Sequence, residues 1–293
     1  MAENGRLHQK LIMITGATSG IGKVTAHNLA AQGASLILVA RSEEKARAVQ
    51  ASIQQQTGVQ PEYLLADLAD MDQIRQLVAQ FQTRHERLDV LVNNAGAFFL
   101  NRQETAAGFE MTWATNHLSY FLLTNLLVDN LKASSAARVI NVSSDAHKAG
   151  EIFFDDPNLT NNFNSWKAYS QSKLANVMFT YELAHRLEAS NITANALHPG
   201  FVRTGFAKNN GRFSRLIMPL IHLGAISEEK GAETPTYLAA SPEVEGVTGK
   251  YFDKKKAIPS SARSYDEAAQ KRLWDLSAEM VGLAVNLPEM GTG

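Results

Sequence analysis

The amino-terminal part of the chain joins a short apolar run to a glycine-rich turn and then to an apolar-periodic segment. Leu11–Ile14 is followed by Thr15-Gly-Ala-Thr-Ser-Gly-Ile-Gly22, and apolar residues then recur at helical spacing. This pattern is typical of a strand, a tight turn and a helix, in which glycines let the backbone turn and approach a ligand closely. N–H groups at the start of such a helix could bind a pyrophosphate. An ordinary strand–turn–helix connection would look the same until the later elements are considered.

Apolar runs and helical patterns alternate along the rest of the chain, which predicts an α/β protein with a buried parallel sheet. The predicted strands are 11–14, 35–40, 62–66, 89–92, 138–142, 191–197 and an edge strand at 249–252. The predicted helices include 43–56, 71–84, 109–132, 169–190 and 266–281. No linker or repeat divides the sequence, so we expect residues 1–293 to form one domain.

The end of the second predicted strand carries a cation where dinucleotide folds often place an acid. Ala40 and Arg41 stand there, and no acid appears until Glu43. An acid at this position bonds the ribose 2′-hydroxyl of NAD, whereas arginine suits a 2′-phosphate. The sequence therefore favours NADP(H) as cofactor, although Arg41 could instead simply begin the next helix.

Tyr169 and Lys173 are four residues apart in a helical context, so they should share one helix face. A neighbouring cation favours the anionic form of a phenol. Because free tyrosine titrates near pH ~10, such a pair is a candidate general acid and base. Tyrosine and lysine also meet at this spacing by chance, so the pair alone is a weak signal.

Polar or small residues follow several of the other predicted strands. They are Asp67-Leu68, Asn93-Asn-Ala-Gly96, Ser143-Ser144 and His198-Pro-Gly200. Ligands of open α/β sheets bind outside the carboxyl ends of the strands, so these groups should share one edge with the glycine-rich turn. Asn116 lies within a predicted apolar helix and is either a satisfied core amide or part of a strained turn that holds a water. We interpret His117 beside it as structural.

Composition excludes several classes of protein. The net charge is −1 with charges of both signs interspersed, so no nucleic-acid footprint is evident. The absence of cysteine excludes disulfides, thiolate metal sites and thiol catalysis, and no metal site is predicted. No signal peptide or apolar run of membrane-spanning length is apparent, so we expect a cytoplasmic protein without a transmembrane segment.

Taken in order and spacing, these motifs resemble the short-chain dehydrogenase/reductase family. The residues that carry the likeness are Thr15–Gly22, Asn93–Gly96, Ser144, Tyr169-x-x-x-Lys173 and Pro199-Gly200. The retinol dehydrogenase-like branch is similar from about residue 10 to 283, through Ser144-Asp-Ala-His147, Ala168–Asn176 and Arg272-Leu-Trp274. The resemblance implies a doubly wound Rossmann sheet with strand order 3-2-1-4-5-6-7.

The resemblance also implies roles for individual residues. Tyr169 would be the acid/base, Lys173 would bind the nicotinamide ribose and lower the tyrosine pKa, Ser144 would hold the substrate oxygen, and Asn116 would hold a relay water. Ser143 is the alternative to Ser144. Asp67 would touch adenine, Asn93 the adjacent ribose and Thr204 the carboxamide. Together, residues and resemblance predict cofactor contacts from Gly16, Ser19, Gly20, Ile21, Gly22, Arg41, Asp67, Leu68, Asn93, Ala95, Gly96, Tyr169, Lys173, Pro199, Gly200, Val202 and Thr204.

The predicted activity is hydride transfer between NADP(H) and a hydrophobic alcohol or carbonyl compound. Apolar residues in 98–100, 145–167 and a substrate lid at 205–226 suggest the hydrophobic substrate. Epimerisation or dehydration on the same scaffold, or a non-catalytic NADP(H) sensor, are the alternatives. The family often pairs its active-site helices across a two-fold axis, so a homodimer or homotetramer is a further expectation.

Overall fold

The structure is a computed structural model that describes residues 7–201 and 226–284. Its strands are β1 Leu11–Thr15, β2 Ser35–Ala40, β3 Glu62–Leu65, β4 Val90–Asn93, β5 Ala137–Val142, β6 Ile192–His198, β7 Lys250–Asp253 and β8 Lys256–Ile258. Its helices are α1 Gly20–Ala30, α2 Glu43–Thr57, α3 Met71–Gln82, α4 Met111–Trp113, α5 Ser119–Leu126, α6 Val128–Lys132, α7 Ser165–Arg186, α8 Glu228–Ala240 and α9 Glu267–Met280.

The described strands form one sheet in the order β3-β2-β1-β4-β5-β6-β7-β8. Strands β1 to β7 all run parallel to one another, and their arrangement confirms the predicted order 3-2-1-4-5-6-7. After β3, at one edge of the sheet, the chain crosses back and adds β4 on the other side of β1. That reversal of strand order opens a crevice at the carboxyl ends of β1 and β4, where ligands of such sheets bind.

Two apolar cores lie on opposite faces of the sheet. Alternate residues of β1 divide between them, since Met13 belongs to one core and Ile12 and Ile14 belong to the other. The first core packs under α3, α5, α7 and α9, and the second under α1, α2 and α8. Burial on both faces explains why the strands are almost continuously apolar.

The predicted edge strand at 249–252 is not the edge, because β8 follows it and pairs antiparallel with β7. Lys254 and Lys255 form the turn between them with positive φ angles of 47° and 65°. Two-residue hairpin turns of this kind normally carry Asn-Gly or a related pair. Lysine at both positions gives no such signal, so the eighth strand was missed.

The predicted helix 109–132 is not continuous either. It begins at Met111, after Glu110 caps it, widens into a π-helical turn at Ala114–Leu118 and breaks again at Leu127. Helix α7 begins at Ser165, four residues before the predicted start at 169, because Asn164 caps it through the N–H groups of the first turn. The predicted lid at 205–226 lies outside the described residues except for Ile226.

Helix α9 covers the outer faces of α5 and α7. Trp274 of α9 packs against Phe121 and Phe179, with ring centroids 4.9 and 5.7 Å apart respectively, and Arg186 stacks over the indole at 4.4 Å. Helix α9 therefore occupies this face of the two helices, and the expected homodimer or homotetramer stays a prediction. No helix among the described residues has the length and apolar character needed to cross a bilayer.

Candidate active site

The glycine-rich turn between β1 and α1 is shaped for a close ligand approach. Gly16 and Gly20 have φ angles of +66° and +55°, which side-chain-bearing residues rarely adopt. A Cβ on Gly22 would lie 2.4 Å from both Asn94 Nδ2 and the carbonyl oxygen of Gly16. Only glycine therefore lets α1 start this close to the neighbouring strand.

The start of α1 fits a pyrophosphate. Ser19 stands at the N-cap in extended conformation and makes no side-chain capping hydrogen bond, and the first turn carries no acidic residue. The first N–H groups of any helix lack intrahelical partners and carry partial positive charge. Gly20, half-buried Ile21 and Gly22 thus form a cradle suited to the anionic part of a dinucleotide.

Asn94 ties this turn to the end of β4. Its Nδ2 donates to the carbonyl oxygen of Thr15 at 2.8 Å, and the N–H groups of Asn94 and Ala95 donate to Thr15 Oγ1 at 2.9 and 3.0 Å. The sequence placed Asn94 at this edge of the sheet but did not identify it as the residue that braces the turn. The small residues Ala95 and Gly96 continue along the crevice.

Arg41 and Asp67 lie together at the carboxyl ends of β2 and β3. Arg41 Nη1 is 4.0 Å from Asp67 Oδ2, and their side chains are 64% and 45% exposed. An ion pair this exposed contributes little stability, so the guanidinium is available to a ligand. Leu68 is buried in the core, which leaves only its main chain for a cofactor contact.

The prediction that Asn93 touches a ribose needs correction for its side chain. Asn93 is fully buried, and its Nδ2 donates to Thr124 Oγ1 and to Asn141 Oδ1, both at 2.9 Å. A polar side chain at the end of a buried strand can face the covering helix instead of the crevice, and this one does. Only the main chain of Asn93 can serve a ligand.

The two adjacent serines after β5 have different surroundings. Ser143 is buried, and its hydroxyl donates to the carbonyl oxygen of Lys173 at 2.7 Å. Ser144 is half-buried, and its Oγ accepts from the N–H of Ala146 at 3.2 Å as the cap of a 3₁₀ turn at Asp145–Ala149. The Ser144 hydroxyl also hydrogen-bonds Tyr169. Ser144, and not Ser143, therefore shares a site with the phenol.

Tyr169 and Lys173 lie on one face of α7 at the crevice. Lys173 Nζ donates to the carbonyl oxygen of Val142 at 3.0 Å and lies 5.7 Å from the Tyr169 ring centroid. Phe98 meets the tyrosine ring edge-on at a centroid distance of 5.6 Å. The segment after the carboxyl end of β5 and the first turns of α7 thus bring Ser144, Tyr169 and Lys173 together.

Burial dominates the pKa of both groups. It raises the pKa of Tyr169 above its ordinary value, and the Ser144 hydrogen bond lowers it by less. Burial also lowers the pKa of Lys173 from 10.5 to about 7. The net effect in this structure is a raised pKa of Tyr169, with burial as its cause, and the lowering by Lys173 that the resemblance implies stays a prediction.

The π-helical turn places Asn116 beside the crevice. Its Oδ1 accepts from the N–H of Ala97 at 2.8 Å, and its Nδ2 donates to the Ala97 carbonyl oxygen and to Ser172 Oγ, both at 3.0 Å. A Cβ on Gly96 would lie 3.5 Å from both Asn116 Oδ1 and Lys173 Nζ. Asn116 therefore fixes the loop after β4 next to the lysine. Its predicted relay water stays a prediction.

Pro199 and Gly200 follow β6 at the same edge. Gly200 has a φ angle of +88°, and a Cβ there would lie 2.4 Å from Ile226 Cδ1. The left-handed φ angle is what favours glycine here, because the end of the Ile226 side chain could move aside. The predicted contacts of Val202 and Thr204 lie outside the described residues.

Tyr120 is a neighbour of the site that the sequence did not identify. Its hydroxyl donates to the Ala95 carbonyl oxygen at 2.8 Å, and its ring centroid is 5.8 Å from Lys173 Nζ. Tyr120 lies in an apolar part of the predicted helix 109–132, and that pattern predicts only a core residue. The tyrosine joins the π-helical region to the loop that lines the crevice.

Comparison with known proteins agrees with this geometry. A family model described as short chain dehydrogenase matches residues 10–214. Human retinol dehydrogenase 14 is 42% identical over 95% of this chain and 88% of its own length. Human retinol dehydrogenase 13 is 45% identical over 94% of this chain and 85% of its own length. A crystal structure of a protein from Mycobacterium paratuberculosis superposes with a TM-score of 0.78 at 33% identity, over 96% of each chain.

Proposed function

This chain belongs to the short-chain dehydrogenase family and is an oxidoreductase of the retinol dehydrogenase-like kind, and on that premise we propose its finer activity. It interconverts a hydrophobic alcohol and the corresponding carbonyl compound with NADP(H), and Tyr169 is the general acid and base. The observation that carries the proposal is the meeting of Ser144, Tyr169 and Lys173 beside the glycine-rich turn.

The bound nicotinamide would supply or accept the hydride. In the reducing direction, negative charge develops on the substrate oxygen as its carbon is reduced. The Ser144 hydroxyl stabilises that charge by hydrogen bonding, and the Tyr169 hydroxyl transfers its proton to the oxygen. The proton and the hydride together convert the carbonyl to an alcohol.

The electrostatics of the site suit this role. Because burial raises the pKa of Tyr169, the phenol is protonated at neutral pH and is ready to act as an acid. After proton transfer, the phenolate gains from a positive Lys173, whose pKa of about 7 allows it to take up a proton as charge develops nearby. In the oxidising direction the same pair removes the alcohol proton.

NADP(H) is the proposed cofactor because of Arg41. Its guanidinium is largely exposed at the carboxyl end of β2, beside the Asp67 carboxylate. A 2′-phosphate would take charge-assisted hydrogen bonds from this group, whereas the 2′-hydroxyl of NAD would gain much less.

The proposed hydrophobic substrate rests on apolar side chains around Tyr169. Phe98 packs edge-on against the tyrosine, and the Trp166 ring lies 6.3 Å from it. Trp166, in the first turn of α7, is 53% exposed. Leu100 and Phe201, on the loops that follow β4 and β6, are 40% and 56% exposed. Exposed apolar side chains grouped at a crevice favour an apolar ligand.

An NADPH-oxidation assay tests the proposal. The purified chain is mixed with NADPH and a panel of alkyl, allylic and aromatic carbonyl compounds that includes retinal, and absorbance at the nicotinamide band is followed. Carbonyl-dependent oxidation of NADPH, with the alcohol as product, is expected. Tight NADPH binding without turnover over the whole panel would instead indicate a sensor, and substrate conversion without net NADPH oxidation would indicate an epimerase or dehydratase.

A further inference from the structure

Two histidines from different elements hold the single peptide group that joins Ser144 to Asp145. His147 Nδ1 lies 2.7 Å from the Ser144 carbonyl oxygen, and His198 Nδ1 accepts from the N–H of Asp145 at 3.2 Å. One imidazole therefore contacts the oxygen of this peptide group and the other contacts its nitrogen. His147 lies in the 3₁₀ turn after β5, whereas His198 ends β6.

The partners of each ring fix its tautomer. The N–H of Ser261 donates to His147 Nε2 at 3.1 Å, so Nε2 bears a lone pair and the proton stands on Nδ1, which donates to the Ser144 carbonyl. The N–H of Asp145 donates to His198 Nδ1, so that nitrogen also bears a lone pair. Both imidazoles must be neutral for the arrangement to persist.

The held peptide group sets where the Ser144 hydroxyl points. Ser144 has extended backbone angles of −161° and 157°, and its Oγ both accepts from Ala146 and bonds Tyr169. A rotation of the peptide plane would break the cap and move the hydroxyl away from the phenol. A shift of about 1 Å at such a group can cost on the order of a hundredfold in rate.

We propose that His147 and His198 are positioning residues that orient Ser144 for the reaction, through a clamp on the 144–145 peptide group. The inference rests on the proposed function. It adds to that function two residues whose role is to hold this peptide group in place.

The clamp also makes the site sensitive to acid. Burial lowers the pKa of both imidazoles, which keeps them neutral at neutral pH. The charged groups that face the pair are Asp145 and Lys148 in the 3₁₀ turn, Asp253 at the end of β7 and Lys254 after it. The Tyr251 ring also packs against His147, at a centroid distance of 4.6 Å. Protonation of His198 replaces its lone pair with a second donor, which repels the Asp145 N–H. Since the lowered pKa lies below 6.5, the clamp is complete at neutral pH and is lost only as pH falls below that value.

Substitutions at His198 test the proposal, because this residue is only half-buried and its loss should spare folding. His198→Leu removes the acceptor, whereas His198→Asn keeps an oxygen near the Nδ1 position and does not titrate. We expect kcat for carbonyl reduction to fall roughly tenfold to a hundredfold in the leucine variant and to recover in the asparagine variant. NADPH affinity should be unchanged in both. His85→Asn, which alters a histidine paired with Glu62 far from the site, is the matched control.

Two further readouts separate the clamp from general structural damage. Hydrogen exchange in the peptide covering 143–149 should be faster in His198→Leu than in the wild type, and slow in His198→Asn. The loss of kcat at acid pH should be present in the wild type and displaced to lower pH in His198→Asn.

The results that overturn the proposal are distinct from failure of the proposed function. Equal kcat and equal exchange in His198→Leu and the wild type would refute the clamp, as would an asparagine variant that behaves like the leucine one. If the wild type turns over no carbonyl compound, the proposed function fails instead, and the exchange comparison alone then decides whether the clamp exists.

Discussion

Replacement of Lys173 by methionine should make the chain more stable at neutral pH while it removes activity. Methionine has nearly the length of lysine and no charge to bury. Burial lowers the pKa of Lys173 from 10.5 to about 7. One pKa unit corresponds to about 1.4 kcal/mol, so keeping the ammonium buried costs on the order of 5 kcal/mol at low pH. Loss of the hydrogen bond to the Val142 carbonyl offsets about 1 kcal/mol of the gain.

The sign of the pH dependence follows from proton binding. Between pH 7 and 10.5 the unfolded chain holds a proton on Lys173 more often than the folded chain does. The free energy of unfolding therefore rises with pH across this window, by about 2 kcal/mol between pH 7 and 9 from this residue alone. Lys173→Met lacks that increment, whereas all other titrating groups are common to both proteins and cancel.

Urea unfolding of both proteins without cofactor, at pH 7 and pH 9, measures the difference. We expect the stability advantage of Lys173→Met to be larger at pH 7 and to shrink by about 2 kcal/mol at pH 9. Parallel changes in the two proteins would refute the reasoning, because they would mean that Lys173 keeps an ordinary pKa in the folded chain. If the methionine variant were less stable than wild type at pH 7, the hydrogen bond of Lys173 to Val142 would stabilise the wild type by more than the burial of its charge destabilises it.

Three further substitutions test the cofactor cradle and its support. Arg41→Asp should raise the KM for NADPH about tenfold to a hundredfold relative to the KM for NADH, because charge-assisted hydrogen bonds are worth ~1.5–3 kcal/mol. An unchanged ratio of the two KM values would show that Arg41 does not contact the 2′-phosphate. Gly22→Ala should weaken NADPH binding in a fluorescence titration and lower stability by about 1–3 kcal/mol, because the new methyl group would lie 2.4 Å from Asn94 Nδ2. Wild-type affinity for NADPH would contradict the need for α1 to start this close to the neighbouring strand. Asn176→Leu removes the amide that donates to the Asn116 carbonyl oxygen at 2.9 Å, so kcat should fall along with ~1–3 kcal/mol of stability, and an unchanged kcat would show that the π-helical turn needs no such support.

The sequence predicted the sheet because its signals are local. Continuous apolar runs bounded by glycine or polar residues mark buried parallel strands, and their order followed from the family likeness. The eighth strand was missed because Lys254 and Lys255 adopt positive φ without glycine or asparagine. The break at Leu127 was missed for a similar reason, since no proline or glycine marks it.

The sequence located the site residues better than it described their surroundings. Tyr169 and Lys173 share a helix face because spacing dictates it, and Ser144 meets them because it follows the adjacent strand β5. The residues around Asn93 in the sequence could not predict that its side chain is buried, because its hydrogen-bond partners, Thr124 and Asn141, come from other elements. Long-range partners such as these are set by tertiary packing and leave no periodic signal.

The most direct test of the account compares wild type with Tyr169→Phe for NADPH binding and for carbonyl-dependent NADPH oxidation. Tyr237→Phe, which removes a hydroxyl bonded to Glu243 outside the crevice, is the matched control. We expect Tyr169→Phe to bind NADPH as tightly as wild type but to lose turnover, while the control keeps both. Turnover by Tyr169→Phe near the wild-type rate would contradict the assignment of Tyr169 as the acid and base.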